Sequence, residues 1–183
     1  MQKLSTWILK MAGWKAFVTL EEPKKSVICV APHTSNWDFL VGELSYWSLG
    51  RKSSFLIKKS WFFFPFNYIF TALGGVPVDR SKRNSVTQQM VEEFNKRESF
   101  HLAITPEGTR ELNRKWKAGF HTIAKATGAT VYLGFFDFGR KEVGWQETFE
   151  LTDDADADIR RMKAYYRNRG VVGKHPEWFS VED

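Results

Sequence analysis

The sequence predicts an α/β fold, a largely parallel or mixed sheet flanked by helices and preceded by an amphipathic helix at the amino terminus. Three observations predict it. Short β-branched or apolar runs alternate with amphipathic stretches along most of the chain, the pattern of strands laid between helices. No repeat, low-complexity tract or Gly/Ser linker divides it. At 183 residues with 43% hydrophobic content, it is long enough to bury one core without metals or disulfides. Residues 1–183 are therefore expected to form a single domain.

Taken in order, residues 1–18 place Leu4, Ile8, Met11 and Trp14 at helical spacing, with Trp7 and Phe17 beside them and Lys3, Lys10 and Lys15 elsewhere. That spacing predicts an amphipathic helix within residues 1–20, packed on the domain or lying in a headgroup layer. After the turn at Glu22, Pro23 and Lys24, residues 26–31 read as a buried strand that Pro32 ends, so His33 falls just beyond it. A helix is expected over 37–49, a strand over 54–58, a helix-like aromatic segment from Trp61 and a short strand over 76–78. A polar amphipathic helix over 84–97, a strand over 101–105 and a helix over 118–126 follow. Strands over 130–136 and 145–151 come next. A helix over 153–169 closes the series, its acidic first turn and basic end matching the helix dipole.

Composition narrows the partners. A formal charge of +6 and a pI near 9.4 attract anionic partners, whether phospholipid headgroups, phosphorylated small molecules or nucleic acid. Nucleic acid is the poorest of these, because Lys and Arg are spread through the sequence rather than gathered in a recognised motif. Aromatic content of 16%, with eight tryptophans, suits either a membrane interface or a large aromatic core. The single Cys29 lies in an apolar run, cannot form an internal disulfide and points to a buried thiol in a reducing compartment. The amino terminus does not resemble a secretory signal, so a cytoplasmic product is expected.

Three short constellations carry chemistry. His33 and Asp38 stand five residues apart directly after a strand, a candidate base with a carboxylate to fix its tautomer. On a straight helix that spacing separates side chains by roughly 140°, so the pair meets only if His33 lies on the loop and Asp38 near the helix start. Otherwise Asp38 is a first-turn helix residue and His33 a loop hydrogen bonder. Thr105-Pro106-Glu107-Gly108-Thr109-Arg110 again follows a strand, with Gly108 allowing a tight turn that exposes backbone amides and Arg110 able to grip an anion with two donors. In Gly74-Gly75-Val76-Pro77-Val78-Asp79-Arg80, Asp79 could hold Arg80 toward a phosphate. Nucleophile-elbow, dinucleotide and P-loop fingerprints are absent, and His101, His121 and His175 lack metal-ligand spacing.

In this order the three motifs resemble the glycerolipid acyltransferase family that includes bacterial lysophosphatidic acid acyltransferases. The likeness covers roughly residues 27–136. It implies His33 and Asp38 as the catalytic pair, with Arg80, Glu107, Gly108, Thr109 and Arg110 forming the acceptor site. It also implies an acyl-CoA or acyl carrier protein thioester as co-substrate, with no other cofactor and no metal. The implied acceptor is a lysophospholipid, 1-acylglycerol 3-phosphate first, with an aminolipid or another lysophospholipid as alternatives. A nonenzymatic module binding anionic membranes is the reading from a different class. Residues 61–75, the most apolar stretch, are too short and too interrupted by Pro65 and Asn67 to span a bilayer of about 30 Å. They could line an acyl-chain tunnel, dip into the interface or form core, and peripheral attachment to the inner face of the cell membrane is expected. The chain departs from the family where residues 130–136 lack a proline, where Pro77 replaces a bulky apolar residue, and where one helix stands for a longer amino-terminal hairpin.

Overall fold

The computed structural model describes residues 1–18, 23–79, 81 and 85–182. The first helix, α1 (Gln2–Met11), is shorter than its apolar spacing suggests. Gly13 adopts φ +79°, a left-handed conformation that ends the helix cheaply only at glycine. The chain then enters β1 (Lys15–Val18), which pairs in parallel with the seventh strand, Lys15 opposite Glu142 and Val18 opposite Trp145. Trp14 and Phe17 thus continue a helical spacing by coincidence, and a sheet edge overrides it.

The remaining elements follow the expected order with shifted ends. They are β2 (Lys25–Val30), α2 (Asn36–Ser48), β3 (Phe55–Lys58), α3 (Phe66–Ala72), β4 (Gly75–Val78), α4 (Val86–Lys96), β5 (Phe100–Ile104), α5 (Gly119–Thr127), β6 (Thr130–Asp137), β7 (Glu142–Thr148) and α6 (Ala155–Arg169). The aromatic segment is a 3-10 turn at Lys59–Trp61 followed by the short α3 rather than one helix. α4 begins at Val86 because the Ser85 hydroxyl accepts from the Gln88 N–H at 3.1 Å. The last strand starts three residues earlier than expected: Asp137 accepts from the Arg140 N–H at 3.0 Å in the turn before it, and β7 returns antiparallel to β6.

The main sheet has the order β1-β7-β6-β2-β5, parallel except at the β6–β7 hairpin, so the mixed alternative is the observed one. β3 and β4 form a second, parallel pair. Ser54 joins this pair to the main sheet, its N–H on the His101 carbonyl at 2.7 Å and its own carbonyl accepting from the Ala103 N–H at 2.9 Å.

Alternation along β2 assigns the two faces. Val27 and Cys29 face a core completed by Met90 and Phe94 of α4, Phe120 of α5 and Met162 and Tyr166 of α6. Ile28 and Val30 face Leu9 of α1 and Val41 and Tyr46 of α2. A strand buried on both sides reads as a continuous apolar run, as 27–31 does. Full burial of such side chains stabilises by about 1.5–3 kcal/mol each. Tyr166 adds a directional tie, its hydroxyl shared between the carbonyls of Cys29 (2.7 Å) and Gly134 (2.8 Å). The Cys29 thiol is buried, and burial pushes its pKa up, as suits an inert core cysteine.

Candidate active site

The carboxyl ends of β2 and β5, adjacent in the sheet, bring the His33 and Glu107 loops side by side. α2 starts at the first of them through a reciprocal cap. Ser35 Oγ accepts from the Trp37 N–H at 2.9 Å, and Asp38 Oδ2 accepts from the Ser35 N–H at 2.9 Å. The same oxygen accepts from the Thr34 N–H at 2.8 Å and lies 3.1 Å from His33 Nδ1. Three donors thus converge on Asp38 Oδ2, and the bend that a five-residue spacing requires is supplied by loop residues His33 to Ser35. Asp38 is 1% exposed, whereas the His33 side chain retains 23%. With Nδ1–H donated to the carboxylate, Nε2 is left as the basic nitrogen of the ring.

Behind this pair lies a second carboxyl group. Glu107 is 1% exposed, and its Oε1 accepts the main-chain N–H of His33 at 2.9 Å. Burial pushes its pKa up to about 8, the His33 N–H opposes that, and the charge of Asp38 adds to it. The Pro-Glu-Gly-Thr-Arg turn closes by Gly108 N–H to the Thr105 carbonyl (3.0 Å) and Lys117 N–H to the Pro106 carbonyl (2.7 Å). Asn113 Nδ2 donates to the Glu107 carbonyl at 2.6 Å. Gly108 sits at φ +70°, and a Cβ there would come within 2.8 Å of the Lys117 side chain. Its amide serves the turn itself instead of standing exposed to an anion, and Glu107 lies behind the histidine loop.

Arg110 is exposed, and its guanidinium hydrogen-bonds Asn36 Oδ1 in the first turn of α2. That contact sets the arginine at the mouth of the His33–Asp38 corner. Thr109 is half-buried beside it, its Oγ1 accepting from the Glu111 N–H at 3.3 Å. Arg80 lies outside the described residues. Asp79, expected to hold that arginine, accepts from the N–H and hydroxyl of Ser81 at 3.0 and 2.6 Å and pairs with Lys59 at 3.4 Å. Its backbone is held on both sides by the Gln89 amide.

Sequence reasoning missed four contributors. Asn36 and the Ser35 cap were legible in the Ser-x-x-Asp spacing that opens α2. Asn113 and the segment around His175 carried no local signal. Thr34 Oγ1 accepts from the His175 N–H at 3.2 Å, and a Cβ at Gly173 would approach Thr34 Oγ1 to 2.8 Å, so the chain after α6 closes tightly on the histidine loop.

An apolar cavity of about 60 Å³ lies beneath α2, lined by Ile28, Val30, Gly42, Tyr46 and Trp145 among others. Its lining also includes Glu43 and Ser53: Glu43 accepts from the Ser53 hydroxyl at 2.6 Å and has Oε2 buried without a hydrogen-bond partner. Burial pushes the Glu43 pKa up to about 7.

Residues 16–132 match the family model described as Acyltransferase. The crystal structure of the 1-acyl-sn-glycerophosphate (LPA) acyltransferase PlsC from Thermotoga maritima is similar in fold, with a TM-score of 0.59 over 92% of this chain and 78% of that chain. Sequence identity between the two is 16%. No curated protein sequence matches the chain significantly.

Proposed function

The chain belongs to the acyltransferase family, and from that premise we propose that it moves a fatty acyl group from acyl-CoA or an acyl carrier protein to the hydroxyl of a lysophospholipid, 1-acylglycerol 3-phosphate first. The observation that carries the reading is the contact of His33 Nδ1 with Asp38 Oδ2, which orients the ring and leaves Nε2 as base. His33 Nε2 removes the acceptor hydroxyl proton as that oxygen attacks the thioester carbonyl. The tetrahedral intermediate collapses, the thiolate leaves, and the imidazolium returns the proton to it. Asp38 orients the imidazole and stabilises its charged form. Glu107 fixes the His33 backbone from behind, and Arg110, tied to Asn36, meets the acceptor phosphate together with Arg80, with Thr109 and Gly108 shaping that end of the site.

Attachment to the inner face of the cell membrane is peripheral in this reading. Among the described residues no helix is long and apolar enough to cross a membrane, while Leu4, Trp7 and Met11 of α1 and Trp37 and Leu40 of α2 are exposed.

The test is free-thiol release from acyl-CoA and acyl carrier protein against a panel of lysophospholipid and aminolipid acceptors, with products read by mass spectrometry. Turnover with 1-acylglycerol 3-phosphate is expected to fall about 10²-fold or more in His33→Ala. Arg110→Ala should weaken phosphate-bearing acceptors selectively. Full activity in His33→Ala removes the proposed base, preference for an aminolipid replaces the acceptor, and no thiol release with any pair leaves a membrane-binding module.

A further inference from the structure

The excursion from the sheet between β3 and β4 carries a surface that the chemistry above does not use. Trp61, Phe63, Phe64 and Tyr68 are 59%, 55%, 79% and 68% exposed, and Phe66 and Ile69 lie beside them with about half their surface open. Exposed aromatic residues this densely packed in sequence exceed the scattered apolar residues of an ordinary surface. They are not a collapsed tail. Phe63 packs on Phe66 at 5.1 Å, Phe66 on Phe70 at 6.2 Å and Phe62 on Phe70 at 5.8 Å, so the turn and α3 form a self-supported ridge.

In the sequence, charge is concentrated on the segments that flank this excursion. Residues 51–83 hold seven basic side chains and one acidic one, so this stretch accounts for the whole formal charge of +6 and the rest of the chain is balanced. Two basic pairs, Arg51–Lys52 and Lys58–Lys59, precede the aromatic turn, and three further bases follow β4. The excursion is also fixed next to the site. Phe39, the residue after Asp38, packs edge-on against Phe55 of β3 with ring centroids 4.4 Å apart.

We propose that the β3–β4 excursion seats the protein on anionic phospholipid bilayers, the 61–69 ridge entering the acyl–headgroup boundary while Lys58 and Lys59, which lead into it, hold the lipid phosphates. Tryptophan and tyrosine favour the headgroup level, phenylalanine the layer beneath, and cations nearby favour anionic lipids. A preformed ridge loses little conformational freedom on insertion. An acidic carrier protein would be drawn by the same charge but offers no reason for so many exposed aromatic rings around a turn. Use of the bilayer as the source of acceptor rests on the lipid acyl-transfer reading; adhesion to it does not.

The experiment is cosedimentation of the full chain with vesicles of phosphatidylcholine alone and of phosphatidylcholine mixed with phosphatidylglycerol. Binding is expected to the mixed vesicles, to weaken with salt, and to fall about tenfold or more in Phe63→Ser/Phe64→Ser. In Trp7→Ser most of it should remain. Lys58→Ser/Lys59→Ser should flatten the salt dependence, and thiol release with a monomeric short-chain acceptor should not change in Phe63→Ser/Phe64→Ser. The proposal is overturned if the double Phe variant binds vesicles as the parent does, or if Trp7→Ser alone abolishes binding. Two other results overturn it: loss of turnover with a carrier-protein donor alone while vesicle binding stays, or a parent dimer that the double Phe variant turns to monomer. Loss of vesicle binding in the double Phe variant, with no thiol release from any acceptor in the parent, upholds the membrane seat and rejects the acyl-transfer reading.

Discussion

The corner at the ends of β2 and β5 hides polar groups, whereas the β3–β4 excursion exposes apolar ones. Each inverts the ordinary distribution, by a different physics. In the corner, Asp38 and Glu107 are almost fully buried, Asp38 accepting two main-chain N–H groups and Glu107 one, all of which a small displacement would strand. On the excursion, contact area does the work, and each ring contributes a graded share. Substitutions in the corner should therefore act steeply and through chemistry, while those on the ridge act in proportion to area and leave chemistry alone.

The largest expected effect is at Asp38. Asparagine keeps an oxygen for the Thr34 and Ser35 N–H groups and so preserves the cap, but it gives up the charge that steadies an imidazolium. Under the proposed mechanism Asp38→Asn should lower kcat by about 10³-fold, with the thermal midpoint little changed. Asp38→Ala should lose activity equally and also about 2 kcal/mol or more of stability, because it strands the Thr34 and Ser35 N–H groups. Thermal unfolding beside single-turnover thiol release separates the two effects. An Asp38→Asn protein that turns over normally would reduce the corner to a helix start.

Glu43 stands at the joint between the two regions, linking α2 to Ser53 at the root of the excursion. Its folded pKa, raised from 4.5 to about 7, exceeds its unfolded value, so the folded state holds the proton more tightly. Stability from this group is therefore complete below about pH 4.5 and declines as pH rises toward 7, by up to ~3 kcal/mol. Glu43→Gln, which keeps an acceptor for Ser53, should flatten that part of the pH–stability curve and make the protein more stable at pH 8. A denaturation series between pH 4.5 and 8 reads it, and identical slopes in parent and variant would mean that Glu43 stays charged in the fold.

How much of this was legible in the sequence depends on range. The His33–Asp38 bend is made within six residues by Pro32, a polar loop and a cap, and local spacing exposed it. β2, β5 and β6 announced themselves because buried strands are mostly apolar, as 27–30, 102–104 and 131–136 are. β1 did not, because a four-residue edge strand takes its identity from β7, over 120 residues away. The antiparallel return of β7 is decided by the turn at Asp137 and Arg140, which composition does not rank above a crossover. Glu107 is the sharpest case. A glutamate in a Gly-containing turn after a strand reads as exposed, and only its contact with His33, 74 residues earlier, makes it buried.

That burial also yields the finest distinction between the regions. With a pKa pushed up to about 8, Glu107 is mostly neutral at pH 7, and glutamine reproduces its neutral form. Glu107→Gln should accordingly retain most activity at pH 7, because its amide oxygen still accepts the His33 N–H. Glu107→Ala should strand that N–H at about 1–3 kcal/mol and let the His33 loop drift. Above pH 8 the parent acquires a second buried charge beside Asp38, and the unfolded chain, already ionised near 4.5, does not share that strain. Parent stability should therefore decline between about pH 4.5 and 8 and level off above that, and parent activity should fall as Glu107 ionises near pH 8, while Glu107→Gln stays level over both ranges until other groups titrate. A kcat profile from pH 6 to 9.5 on both proteins decides the matter. If glutamine fails at pH 7 as badly as alanine, the carboxylate is needed in its charged form, and Glu107 would have to act on substrate instead of holding the histidine in place.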